Sequence, residues 1–180
     1  MKRILSFILL LLLLLSTTAC GEKGSFTHCE ITLNLTEEFT ECSSDEPFVI
    51  VDSSGNSVVF KTTSASPDIA LSDGVTVVML SRISHEAAAD EGIAPFLTET
   101  EFARLYMSLS ETEAEIFYYS DTPYYLYEKT GSDGARFTFL VSFFRSPYAY
   151  FTLSFITTQD NFETEKLHIL GYIDAVKFTG

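Results

Sequence analysis

Residues 117–155 hold 14 of the chain's 25 Phe and Tyr residues. Rings this large dominate the energetics of any core they enter, so the fold must be centred on this stretch. Its pattern alternates: Phe137, Phe139, Val141 and Phe143 would share one face of a strand, and Phe151, Leu153 and Phe155 one face of the next. Three strands are predicted, over 124–129, 136–144 and 148–157. Gly131-Ser132-Asp133-Gly134 and Arg145-Ser146-Pro147 supply the turns. Links this short make the three strands antiparallel neighbours.

The preceding residues add a sheet and a helix. Ile31, Leu33 and Leu35 alternate with Thr32, Asn34 and Thr36, the pattern of a half-buried strand, and Phe39 is expected to fold back onto the core. Phe48-Val49-Ile50-Val51 and Val58-Val59-Phe60 flank Asp52-Ser53-Ser54-Gly55-Asn56, a hairpin signal. Residues 64–73 read as loop, and 75–83 as a nearly continuous apolar strand covered on both faces. Thr98 and Glu101 form a capping box, with Leu97 stapled to Phe102. Phe102, Leu105, Tyr106 and Leu109 then mark one apolar helical face, ending near Ser110. A second capped helix is expected from Asp160, with Phe162, Ile169, Leu170 and Ile173 inward, followed by a short extended tail at Ala175-Val176-Lys177-Phe178.

The tyrosines leave two arrangements open, because each hydroxyl needs a partner. Either helices cover both faces of the sheet, or alternate tyrosines face outward and form a recognition surface. The candidates for that surface are Tyr124, Tyr148 and Tyr150. Tyr125 and Tyr127 are expected in the core, and Tyr124 on the side that carries Glu128, nearer solvent.

The first residues constrain location. Lys2 and Arg3 precede an apolar run from Ile4 to Leu15 broken only by Ser6, and Ser16-Thr17-Thr18-Ala19-Cys20 closes it with small residues. That is the layout of a secretory signal, and the run is shorter than the ~20 residues a spanning helix needs. Ala19-Cys20-Gly21 resembles the lipobox of bacterial lipoproteins. The resemblance implies cleavage before Cys20 and attachment of diacylglyceryl and fatty acyl (palmitate) chains there, which anchor the protein in the bilayer facing outside the cytoplasm. The chain then divides into a signal peptide (1–19), a lipidated Cys20 with a short tether (20–27), and one domain (28–180).

Loss of Lys2 and Arg3 takes the 11 basic residues to nine against 25 acidic, a net charge of −16. A chain this acidic cannot neutralise phosphates, which excludes nucleic acid as a partner. Cys29 and Cys42 remain besides Cys20. They can form one disulfide in an exported protein, or stay as two free thiols. His28, His85 and His168 show no metal-ligand spacing and are read as exposed. No serine stands in a nucleophile-elbow motif and no Gly-rich phosphate loop occurs, so no catalytic residues and no cofactor are expected.

The order of elements, with Ile31-Thr32-Leu33-Asn34-Leu35, the Thr98-Glu99-Thr100-Glu101-Phe102 helix start, Tyr124-Tyr125-Leu126-Tyr127 and the closing residues 169–178, resembles the Mog1/PsbP-like α/β/α sandwich. This implies an α+β fold: a mainly antiparallel sheet of about six strands with helices on its faces. It also implies a non-catalytic binding or assembly module whose partner is an envelope protein or small ligand. The alternatives are an envelope hydrolase using scattered residues and a small-ligand-binding lipoprotein.

Overall fold

The computed structural model describes residues 24–61, 67–94, 96–131 and 133–179. The leader and Cys20 lie outside the described residues. The described residues form, in order, β1 (Ser25–His28), β2 (Ile31–Asn34), β3 (Thr40–Glu41), β4 (Phe48–Val51), β5 (Ser57–Phe60), β6 (Ile69–Ser72), β7 (Thr76–Ser84), α1 (His85–Asp90), α2 (Glu99–Leu109), β8 (Ile116–Tyr119), β9 (Thr122–Thr130), β10 (Arg136–Arg145), β11 (Ala149–Thr158), α3 (Gln159–Asp174) and β12 (Lys177–Phe178). None of the described helices is long and apolar enough to cross a membrane.

The aromatic stretch forms the centre, as its alternation requires. A seven-stranded antiparallel sheet runs β3-β6-β7-β11-β10-β9-β8. Both faces are covered. On one, Leu140, Phe151, Leu153 and Phe155 meet α3 through Phe162, Ile169, Leu170 and Ile173, and meet Ile31 and Leu33 of the small sheet β1-β2-β12. On the other, Phe137, Phe139, Val141 and Phe143 meet Phe102 and Ala103 of α2, Ala88 of α1, and Phe48 and Ile50 of the β4–β5 hairpin.

Two polar ties lock these layers. Asn34 Nδ2 donates to the Ala175 carbonyl at 2.6 Å, joining β2 to the end of α3. Asn161 Nδ2 donates to the Val51 carbonyl at 2.7 Å, joining the start of α3 to β4. At the chain's entry, Leu35 N donates to the Gly24 carbonyl at 2.8 Å. Gly24 has φ +87°, and a Cβ there would lie 2.2 Å from the Leu35 carbonyl oxygen, so only glycine fits.

Several expectations need correction. β1 starts at Ser25, inside the stretch 20–27 read as tether, because pairing with β2 orders residues whose own alternation is weak. β6 lies within the predicted loop 64–73, where Asp68 and Asp73 mask a strand of four residues held by β7. α1 begins at His85, where the sequence reads as a strand end; Ser84 caps it by accepting from Ala87 N at 3.1 Å. α2 has the predicted capping box, but its inward face is Phe102, Ala103 and Tyr106, while Leu109 is 70% exposed. The small Ala103 lets the helix approach the sheet and rotates the face. The cap of α3 is Thr158, not Asp160, since β11 runs straight into the helix and Thr158 Oγ1 accepts from Asn161 N.

Candidate functional site: an apolar cleft under helix α2

β7 and β11 pair so that Ser81 faces Thr152 and Ile83 faces Tyr150. Directly opposite residues share a sheet face, and Tyr150 belongs to the core on the α2 side, so these four form one floor. Phe102, Tyr106 and Leu109 of α2 make the roof, and Ile93 closes one end. The cleft, half open to solvent, measures 240 Å³. Arg82 also borders it, yet its residue alternates to the other face, where Nε meets Glu30 Oε2 at 3.3 Å. The cleft therefore receives no charged group.

Beneath its floor lies an unmet hydroxyl that does not open on the cleft. Tyr150 is fully buried and its ring stacks on Phe102 with centroids 4.5 Å apart. The His85 ring packs edge-on against it, also at 4.5 Å. The Tyr150 hydroxyl has no hydrogen-bond partner among the described residues. Leaving such a group unmet costs about 1–3 kcal/mol, so it is a feature that calls for a function. Behind the cleft, three phenols crowd together. Burial, then the nearby Tyr106 and Tyr127 phenols, push Tyr125 far above the usual tyrosine range, against a hydrogen bond from Ser110. Burial and Tyr106 push Tyr127 up to about 12. All stay neutral at ordinary pH, so the phenols themselves bring no charge to the cleft.

A serine, a histidine and a carboxylate do lie close together beside the cleft, but their bonds are structural. The Ser146 hydroxyl donates to Glu30 Oε1 at 2.9 Å and accepts from the backbone amides of Tyr148 (3.1 Å) and Ala149 (3.0 Å). Its hydrogen and both lone pairs are thus engaged. His85 Nε2 reaches the Ser146 carbonyl, not the hydroxyl, at 3.0 Å, and the His85 amide donates to the Tyr148 carbonyl at 2.9 Å. A carbonyl only accepts, so Nε2 carries a proton, and Nδ1 is buried with no partner among the described residues. His85 is therefore not the exposed residue read from the sequence. Burial pushes the Glu30 carboxyl up, but the Ser146 hydroxyl, its own backbone amide and Arg82 outweigh this and hold it below the usual range. The cluster fastens the β10–β11 turn to α1 and to the β1–β2 turn.

The predicted tyrosine surface does not assemble. Tyr150 is fully buried and Tyr124 is 8% exposed, each on a different face of the sheet; only Tyr148, 65% exposed in the β10–β11 turn, meets solvent. Helix α3 and the ring of Phe117, 5.8 Å from that of Tyr124, cover the face that Glu128 suggests is open. Cys29 and Cys42 are free thiols. Cys29 is exposed in the β1–β2 turn at φ +50°, and burial pushes the Cys42 thiol up. Among the described residues, no three His, Cys, Asp or Glu side chains converge as metal ligands. The cleft itself is not legible from sequence, because its parts come from β7, α2 and β11.

No family model and no curated protein matches this sequence. Solved structures do share its fold. A crystal structure of a protein from Bacteroides thetaiotaomicron VPI-5482 superposes with a TM-score of 0.54 at 9% identity, over 88% of this chain and 49% of that one. The present chain thus spans about half the length of that protein. The solution structure of cyanobacterial PsbP (CyanoP) from Synechocystis sp. PCC 6803 superposes with a TM-score of 0.51 at 13% identity, over 91% of this chain and 99% of that one. The domain has a PsbP-like fold, mixed α+β and dominated by antiparallel sheet.

Proposed function

We propose that this protein is an extracytoplasmic lipoprotein, anchored in the membrane through Cys20, whose domain is a non-catalytic binding module that takes an apolar group into the cleft under α2. The observation that carries the reading is the wholly apolar accessible lining of the cleft, with the Tyr150 ring in its floor. Binding sites commonly combine a mostly apolar lining with a few placed polar groups. An apolar cavity of ~150 Å³ is enough for benzene, so 240 Å³ suits one ring with a substituent, or one side chain of a partner. The structural engagement of Ser146 and His85 supports a role without catalysis. The short apolar leader and Ala19-Cys20-Gly21 support the anchor.

Two experiments test this. Adding toluene to the methyl-labelled protein should shift the Ile83 and Ile93 resonances saturably, and unmoved methyls would remove the cleft from consideration. Labelled palmitate should enter the wild-type chain and not Cys20→Ser. Equal labelling of both would remove the anchor.

A further inference from the structure

On the opposite face of the sheet, the first turns of α3 overhang β9 and β10 and leave a recess of 300 Å³. Thr138 and Glu128 lie directly opposite each other in the β9–β10 ladder, so they point the same way. Gln159, the first residue of α3, reaches down to them: its Nε2 donates to Glu128 Oε1 at 3.0 Å. A carboxylate only accepts, so this bond fixes which end of the amide is nitrogen. The Gln159 Oε1 is then a buried acceptor, and it has no partner among the described residues. The Thr138 hydroxyl, on a residue only 4% exposed, has none among them either. Two unmet buried groups therefore line one recess.

The remaining groups decide what could satisfy them. Gln159 Oε1, Glu128 and Glu163 accept and cannot donate, and the Thr138 hydroxyl can accept too. The cation at the recess is Lys166, whose Nζ lies over the Phe162 ring, 6.0 Å from its centroid. Two carboxylates against one ammonium leave the recess net negative, on a chain that is itself strongly acidic. Leu126 and Phe162 add an apolar wall.

We propose that this recess binds a primary alkylammonium group, its donors meeting Gln159 Oε1, the Thr138 hydroxyl and Glu128, and its alkyl stem lying on Leu126 and Phe162. The group is the end of a lysine side chain on a basic partner or of a free polyamine. The site is separate from the α2 cleft and stands or falls without it.

Calorimetric titration of the purified protein with 1,5-diaminopentane and with Nα-acetyl-lysine methylamide tests the proposal and separates the two sources. Saturable binding of one or both is expected, weakened by salt. Thr138→Val and Gln159→Met should each reduce affinity at least about tenfold, the loss expected when a charge-assisted hydrogen bond is removed. Thr138→Val should also raise the melting temperature, which shows that its weaker binding is not misfolding. Lys166→Met should tighten binding by removing the resident cation. Absence of saturation at millimolar ligand would overturn the proposal. So would unchanged affinity in Thr138→Val and Gln159→Met, since binding would then be diffuse attraction to an acidic surface.

Discussion

Replacing Tyr150 by Phe should stabilise this protein. The substitution keeps the ring stacked on Phe102 and edge-on to His85, so packing volume is conserved. What it removes is a hydroxyl that is fully buried and has no partner among the described residues. A buried, unmet hydroxyl costs about 1–3 kcal/mol, and that cost disappears with the oxygen. A small void replaces the oxygen atom, and at ~24 cal/mol per Å³ it returns a few tenths of a kcal/mol. The net expectation is a gain of about 1–2 kcal/mol, or roughly 2–4 °C in melting temperature per kcal/mol for a chain this long. Urea melts followed by circular dichroism measure it as a higher midpoint with unchanged slope. A loss of more than ~0.5 kcal/mol would refute the reasoning. It would mean that the hydroxyl is hydrogen-bonded in solution.

Tyr124→Ala and Tyr125→Ala should both cost about 3–5 kcal/mol in the same melts, because the rings are buried on opposite faces of one sheet. A cost near 1 kcal/mol for Tyr124 would reinstate an open face. Gly24→Ala should cost about 1–3 kcal/mol, from its positive φ and the contact with the Leu35 carbonyl, and an unchanged midpoint would show that the first strand is not docked. In alkali, the phenols of Tyr125 and Tyr127 titrate higher in the folded chain than in the unfolded one. The native state therefore binds more protons, so stability is complete below about pH 10 and falls as pH rises toward the folded value of about 12 for Tyr127. Absorbance at 295 nm should show these phenols ionising only with unfolding, and full reversible ionisation near pH 10 in the folded protein would contradict it.

The sheet was legible because its residues repeat locally. Phe137, Phe139, Val141 and Phe143 alternate without interruption, and they do share one buried face. The Thr98–Glu101 box was legible because a cap needs only four residues, and all its bonds are present. β6 and β8 were not, being four-residue strands that exist through their neighbours in the sheet. The tyrosines show the same boundary. Alternation separates Tyr124 from Tyr125, but it cannot say that α3 and the β1-β2-β12 sheet cover one face while α2 covers the other. The cleft and the recess lie one step further, since each depends on which polar atom is left over after three elements have packed. That remainder is a property of the assembled side chains and not of any window of sequence.

Binding of an apolar group in the cleft under α2 is tested most directly by calorimetric titration with toluene and with p-cresol, which differ only in a hydroxyl. The accessible lining of the cleft is wholly apolar, and the Tyr150 hydroxyl lies buried beneath it. With no polar atom of the cleft in reach, the extra hydroxyl gains nothing, so toluene should bind saturably and at least as tightly as p-cresol. Absence of saturation by toluene, or p-cresol binding about tenfold more tightly (about 1.4 kcal/mol), would contradict an apolar site.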